Sequence, residues 1–296
     1  GWPMSVFIAV DGRPFYGGTY FPAEPRPGVS SFKQVLSGIA EAWKHQRSEL
    51  LDSGAELVEA LEQEYEGDVV PQAPDLSPKV LDTAYRKLGQ QFEETHGGWG
   101  SAPKFPQPMA MDFLLRYYDT HEYAGALEMV VDSLRSMAQG GIYDQLGGGF
   151  HRYSVDAHWL VPHFEKMLYD NAQLARIYLN AWHVTGAPFF RAVVEETLDY
   201  IMREMLAPEG GFYATQDADV EGEEGAFFLW TADEIRDVLG DEAPHFLELY
   251  GVTERGNFEG RAILTFSGSY EARVATAEAR QRLFQALPPQ LAQQLQ

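Results

Sequence analysis

The 296-residue chain contains no cysteine. That excludes a disulfide framework, a thiolate metal site and a cysteine nucleophile within these residues. It fits a reducing cytoplasm, the expected location, and is compatible with other compartments. No apolar run approaches the length of a membrane span, and no basic, apolar-cored leader opens the chain. Basic residues are scarce: 22 Lys and Arg face 44 Asp and Glu, a formal net charge of −22 at pH 7. Such a chain repels phosphate backbones and anionic lipid, so neither nucleic acid nor membrane is an expected partner. Several catalytic signatures are missing too: no GxSxG elbow, no GxxxxGKS/T loop, no HExxH, no histidine pair four apart on a helix. His151, His158 and His163 lie seven and five residues apart across a proline, a poor pattern for zinc. Neither a metal nor a cofactor is expected.

What is present is a sizeable apolar fraction, 45% of residues, enough for one large core or two ordinary ones. Met4–Val10 (MSVFIAV) and Phe15–Phe21 (FYGGTYF), separated by Asp11-Gly12-Arg13-Pro14, predict a β-hairpin. A lone hairpin is not stable in water, so it packs on the next helix or has lost its sheet neighbours. From Ser31 the period changes. Phe32, Val35, Leu36, Ile39 and Trp43, followed by Leu50, Leu57 and Leu61, mark a helical face over 31–64. Gly67–Pro78 has three prolines and no period, and reads as a linker ending in a helix start at Ser77-Pro78. The expected divisions are 1–66, 67–77 and 78–296.

Beyond the linker, periodicity predicts helices over Pro78–Glu94, Pro108–Tyr118, Tyr123–Gln139, Phe164–Thr185, Pro188–Leu206 and Thr231–Leu239. Double glycines followed by an aromatic punctuate them, at Gly97-Gly98-Trp99, Gly140-Gly141-Ile142-Tyr143, Gly148-Gly149-Phe150 and Gly210-Gly211-Phe212. A glycine pair stops a helix through a left-handed residue, and helix, Gly-Gly-aromatic, loop, helix recurs as a loose repeat.

Titratable groups and rings concentrate in GGGFHRYSVDAHWLVPHFEKMLYDN, residues 147–171. Loops of this kind on a rigid scaffold are binding or catalytic surfaces more often than connectors. With Pro162–Asn171 taken as a helix start, His163, Lys166 and Asp170 share one stripe, and Glu165 and Tyr169 the next. His163 or Glu165 can then act as acid or base; the competing account is a Lys166–Asp170 surface pair with His163 as a cap. A second acidic group, Asp217 and Asp219, follows the Gly210-Gly211 loop and offers paired carboxylates of the kind glycoside chemistry uses. The neighbouring Glu221, Glu223 and Glu224 read as a solvated acidic loop. Trp99, beside Lys104, is either a sugar-stacking face or a core plug.

These residues carry a resemblance. GWPMSVFIAVDGRPFYGGTYFP (1–22), GGWGSAPKFP (97–106), GGIYDQLGGGFHRYSVDAHWLVPHFEKMLYDNAQL (140–174), QDADVEGEEGAFFLWT (216–231) and YGVTERGNFEGRAIL (250–264) resemble the bacterial and animal family typified by spermatogenesis-associated protein 20. The resemblance implies a mainly α chain: a partial (α/α)6 toroid of helical hairpins, preceded by the C-terminal half of a thioredoxin-like α/β fold. It implies that Pro3 matches a cis-proline, that the Cys-containing half lies outside this chain, and that the toroid is cut short. Phe189, Leu198 and Ile201 are then expected to be exposed, and Ser267–Gln296 to form a loosely ordered helix. The toroid is similar to six-hairpin glycosidases and N-acylglucosamine 2-epimerases. The resulting expectation is a carbohydrate-processing or carbohydrate-binding protein. His163, Glu165, Asp217 and Asp219 are its catalytic candidates. Trp99, Phe150, Tyr153 and Trp159 are its stacking walls, and Lys104, Arg152, Lys166, Tyr169 and Asp170 its polar contacts. The alternative is a redox or chaperone-like module whose toroid binds a protein partner.

Overall fold

A computed structural model describes residues 4–68, 77–220 and 223–287. Pro3 and its peptide bond, most of the linker, and Glu221 lie outside the described residues. The chain divides into two compact units, Gly1–Leu76 and Ser77–Gln296.

In the first unit, β1 (Ser5–Ile8) and β2 (Pro14–Gly18) form the antiparallel hairpin, with a bulge between Phe7 and Ile8. Helix α1 (Phe32–His45) starts in a capping box, Ser31 and Gln34 each satisfying the other's backbone N–H. The periodic segment expected as one helix breaks at Gln46, and α2 (Arg47–Asp68) follows. Phe15 stacks on Trp43, ring centroids 5.5 Å apart, which ties the hairpin to α1. Met4, Val6, Ile8 and Val10 are exposed, so one face of the hairpin has no cover among the described residues.

The second unit is helical. α3 (Lys79–Gln91), α4 (Pro108–His121), α5 (Ala124–Gln139), α6 (Leu168–Thr185), α7 (Pro188–Tyr200), α8 (Ala232–Leu239), α9 (Ala243–Leu249), α10 (Tyr270–Ala275) and α11 (Ala277–Ala286) follow in order. α4 with α5 and α6 with α7 form helical hairpins, and α6 also packs on α4, the arrangement of a partial toroid. Proline at the start of α4 and α7 and left-handed Gly186 at the end of α6 set the hairpin corners. Met111, Leu114, Leu134, Met137, Tyr178 and Phe190 are fully buried between these helices. Burying each contributes about 1.5–3 kcal/mol. A second core under α8, α9 and α11 holds Ile235, Phe246, Tyr250 and Leu283. No helix among the described residues is long and apolar enough to cross a membrane.

Three expectations are corrected. Residues 162–167 are not a helix start: β4 (Pro162–His163) pairs with β3 (Tyr153–Ser154), and β5 (Lys166–Met167) with β6 (Thr215–Gln216). Their backbone groups are committed to these ribbons, so α6 begins only at Leu168. Within the described residues, 267–287 are not one loose helix but two short ones, α10 and α11, with α10 pinned by buried Arg273, and 288–296 lie outside the described residues. The Arg273 guanidinium donates to Gln145 Oε1 (2.9 Å) and Glu196 Oε2 (2.5 Å). Leu198 is exposed as expected, whereas Ile201 is buried in a π-helical turn (Ile201–Met205) that ends α7 against Tyr200 and Leu168.

The loops repeat more closely than the helices. Each glycine-aromatic segment folds back on the residue that opens its loop: Phe92 on Trp99, Tyr143 on Phe150, Leu206 on Phe212. In the first two loops the next residue, Glu93 or Asp144, accepts hydrogen bonds from loop N–H groups and from a buried lysine, Lys104 or Lys166. The lysine's own backbone pairs with the strand after the following loop, Lys104 with Ser154 and Lys166 with Gln216.

Candidate functional site

The extended segment 162–167 sorts its side chains by alternation. Pro162, Phe164 and Lys166 are buried, while His163, Glu165 and Met167 are partly exposed on the opposite face. The outward face carries the candidate site. Strand pairing places Tyr153 opposite His163, and the rings stack at 5.1 Å. Phe105, 46% exposed, lies 4.9 Å beyond Tyr153, so three rings form one partly exposed row. His163 Nδ1 is 2.7 Å from Glu224 Oε1, and its Nε2 is 3.6 Å from Glu165 Oε2. Glu165 in turn accepts from Arg152 (2.8 Å) and from the Thr215 hydroxyl (3.3 Å). Asp170, in the first turn of α6, is only 9% exposed, and its Oδ2 has no hydrogen-bond partner. Burial pushes its carboxyl up to about 6; Arg152 opposes the shift and the Glu165 charge adds to it. A carboxyl raised by burial thus sits near a second one that is paired with an arginine and less enclosed, two carboxyl groups in different environments.

The inward face is structural. Lys166 donates to Asp144 Oδ2 (2.8 Å) and the Gly148 carbonyl (2.9 Å), with its ammonium 4.4 Å from the Tyr200 ring centroid. Burial pushes Lys166 down against the pull of Asp144. Asp144 is held below the usual carboxylate range, where Lys166 and the Gly147 N–H outweigh its own burial. His151 is likewise enclosed, its Nδ1 2.9 Å from the Phe164 carbonyl oxygen. Burial and the Lys166 charge take it down to about 3, so the ring is neutral. The cavity beside it, about 20 Å³, has room for little more than one water.

Several sequence candidates therefore stand apart from the outward cluster. Trp99 is buried with its indole donating to the Leu88 carbonyl, and Phe150 is enclosed against Tyr178. Trp159 is enclosed and donates to the His96 carbonyl. None of the three rings presents a face to solvent, so of the expected stacking walls only Tyr153 is at the surface. Lys104 is fully enclosed by Glu93 and the Ala157 carbonyl. Against the upward push of burial, Lys104 and the N–H groups of Thr95 and His96 hold the Glu93 carboxyl down to about 2. Asp217 and Asp219 are exposed, and Asp217 accepts from the Asp219 N–H. Asp219 lies opposite Glu224 in the ribbon of β7 (Asp219–Val220) and β8 (Glu223–Glu224), so it is Glu224 that reaches His163. Arg152, Tyr153, His163, Glu165 and Asp170 are brought together, with exposed Tyr169 next to Asp170 in the chain. Phe105, Thr215 and Glu224 join them unpredicted. Only the alternation of 162–167 hinted at that face.

A helical-hairpin unit following a small β-hairpin unit is the architecture of a partial toroid joined to part of a thioredoxin-like fold. Residues 1–62 match the family described as Thioredox_DsbH, protein of unknown function (DUF255). The chain is homologous to the spermatogenesis-associated protein 20-like family. It is 37% identical over 306 residues to spermatogenesis-associated protein 20 of Homo sapiens, covering 93% of this chain and 39% of that protein. It is 37% identical over 266 residues to an uncharacterised protein of Caenorhabditis elegans, covering 85% of this chain and 36% of that one. The chain thus spans less than two-fifths of the length of these relatives. Among solved structures, cellobiose 2-epimerase from Bacillus thermoamylovorans aligns with 74% of this chain and 70% of its own at 11% identity and a TM-score of 0.42. A likeness at that level identifies no activity.

Proposed function

We propose that the second unit binds a carbohydrate on the outward face of 152–170 and supports proton transfer on it. The observation that carries this reading is the partly exposed row Phe105–Tyr153–His163 bordering Glu165–Arg152 and the buried carboxyl of Asp170. Aromatic faces accept the C–H face of a sugar ring, and a guanidinium–carboxylate pair beside them matches its hydroxyls. Asp170 supplies a carboxyl protonated near pH 6, and His163, oriented by Glu224, supplies the acceptor. The surface is acidic, which suits a neutral, hydroxyl-rich ligand. No thiol is present in these 296 residues to support the redox alternative.

The test is a thermal-shift and saturation-transfer NMR screen of mono- and disaccharides on the full-length protein. Tyr153→Ala and His163→Ala should abolish the response of any sugar that binds while changing stability by less than about 1 kcal/mol, as expected for partly exposed positions. Sugar binding that survives both substitutions, or no sugar binding at all, refutes the proposal.

A further inference from the structure

A cavity of about 530 Å³ lies in the second unit and shares no residue with the outward cluster. Phe227, Leu229, Trp230, Val238 and Leu287 line it, and Asp237 stands among them. We propose that it binds a small amphipathic organic cation, an ammonium group carried on an aromatic or branched apolar body.

Local structure builds the walls. Left-handed Gly225, at a φ of 74°, lets the chain turn tightly against Phe164, where a Cβ would stand 2.4 Å from the ring. In the 3₁₀ turn that follows (Ala226–Phe228), consecutive rings diverge. Phe228 stacks on buried Phe164 at 5.7 Å, whereas Phe227, turned 85° from it, is half-buried and lines the cavity. The chain then enters β9 (Leu229–Trp230), which pairs with β10 (Ala262–Ile263). Thr231 and Glu234 form the capping box that starts α8, and Glu234, Asp237 and Val238, at helical spacing, share one side of that helix. Arg282 on α11 donates to the Val238 carbonyl and to Glu242 (2.8 Å), which holds α11 against α8 where Leu287 reaches the cavity.

Electrostatics select the sign of the ligand. Arg261 also lines the cavity but is already engaged: its guanidinium donates to the Leu229 carbonyl (2.7 Å) and to both oxygens of Glu234 (3.1 and 2.9 Å). Glu234 accepts the Thr231 N–H as well, at 2.7 Å. Asp237, by contrast, is exposed and has neither an ion pair nor a hydrogen bond among the described residues. Two carboxylates against one guanidinium leave one uncompensated negative charge beside an apolar lining. The field of the whole chain, with its net charge of −22, draws cations to this position and repels anions.

The lining selects the rest of the molecule. Small-molecule sites of roughly 300–1,000 Å³ are mostly apolar and carry a few polar groups that fix orientation, and this cavity has both properties. An ammonium group is attracted by the carboxylate and by aromatic faces, whereas a carboxylate of the same shape is repelled by Asp237. A bare inorganic ion leaves the apolar walls unused, and a neutral hydrocarbon leaves the free carboxylate unused. A cation on an apolar body engages both.

The test compares tryptammonium chloride, neutral tryptophol and indolepropionate, similar indoles of different charge, by calorimetry on the full chain. The expected order of affinity is ammonium, alcohol, carboxylate, with one tryptammonium per chain and an affinity for it that falls as salt is added. Asp237→Asn, at an exposed position, should weaken tryptammonium about 2–5-fold and leave tryptophol unchanged. Phe227→Ala should weaken both about 2–10-fold. A second measurement needs no variant: in methyl NMR of the unaltered chain, tryptammonium should move the Leu229, Val238 and Leu287 signals and leave Leu114 and Leu134, in the other core, in place. Absence of binding, equal affinity for the three indoles, an Asp237→Asn variant that binds tryptammonium as the parent does, or methyl shifts confined to residues outside the cavity would each overturn the proposal.

Discussion

Replacing Lys166 by methionine distinguishes a structural lysine from one that contacts substrate. The substitution keeps the length and apolar stem, and a thioether tolerates the aromatic surroundings of Tyr200 and Phe228. It removes the cation from Asp144 and a donor from the Gly148 carbonyl. Asp144 retains its bonds from the Leu146 and Gly147 N–H groups but is left as a buried charge without its counter-ion. Breaking one side of a buried ion pair costs about 3–5 kcal/mol, a large part of a typical domain's total of about 5–15 kcal/mol. At roughly 2–4 °C per kcal/mol for a domain of this size, Tm should fall by about 6–20 °C. The sign with pH follows from Asp144. In the parent its carboxyl is held below the usual range, so its contribution is present near neutrality and lost as pH falls through the folded-state value. In the variant the lysine is gone, burial is opposed only by the retained N–H bonds and other weaker neighbours, and the carboxyl rises. The deficit should therefore be largest near pH 7 and shrink as acid protonates Asp144. Urea unfolding of the full chain at pH 4.5 and pH 7 measures both quantities. The double variant Lys166→Met, Asp144→Asn should recover much of the loss, since a buried pair is worth little more than a neutral replacement. A deficit below about 1 kcal/mol at pH 7, or one that does not change with pH, would refute this account.

Asp170 is raised above its unfolded value, so its contribution to stability is complete below about pH 4 and lost as pH rises through about 6. Asp170→Asn should therefore gain on the parent across that window, by roughly 2–3 kcal/mol at pH 7, in paired urea titrations; a constant difference between the two proteins would count against the buried carboxyl. Gly149→Ala places a Cβ 2.4 Å from the buried Tyr200 ring at a φ of 79°, whereas Gly210→Ala, at 88°, meets open space. Thermal melts should show about 3–5 kcal/mol lost at the first and about 1–2 kcal/mol at the second; equal losses would mean that Tyr200 yields.

Helix identities were legible because they rest on local period and local stops. α4, α5 and α7 begin at or next to the residues where proline and periodicity place them. The start of α6 was not legible, because Pro162–Met167 is set by strands at 153–154 and 215–216, partners that no window of sequence contains. A three- and four-residue spacing of His163, Lys166 and Asp170 imitated a helical stripe, while the backbone placed His163 outside and Lys166 inside. The same limit applies to the rings. A tryptophan after glycines is compatible with either side of a loop, and only packing shows Trp99 and Trp159 turned inward. Phe105 and Glu224 joined the candidate site through contacts 48 and 61 residues distant, beyond any motif.

Lys104 and Lys166 link the loops of the second unit in series. Lys104 returns its ammonium to Glu93 in its own loop but lends its backbone to Ser154, beyond the next; Lys166 does the same with Asp144 and Gln216. Each loop is thus clasped by a residue that is also the docking edge for its successor. Stability of this kind is handed from neighbour to neighbour, as in stacked repeats, and damage should travel the same way. Parity matters as much as charge. A strand side chain changes face with every residue, so a single insertion between His163 and Lys166 would turn the lysine to solvent and leave Asp144 without its cation. The hand-over to the strand at Thr215–Gln216 would then be out of step, while the local signals of every helix in the unit stayed intact.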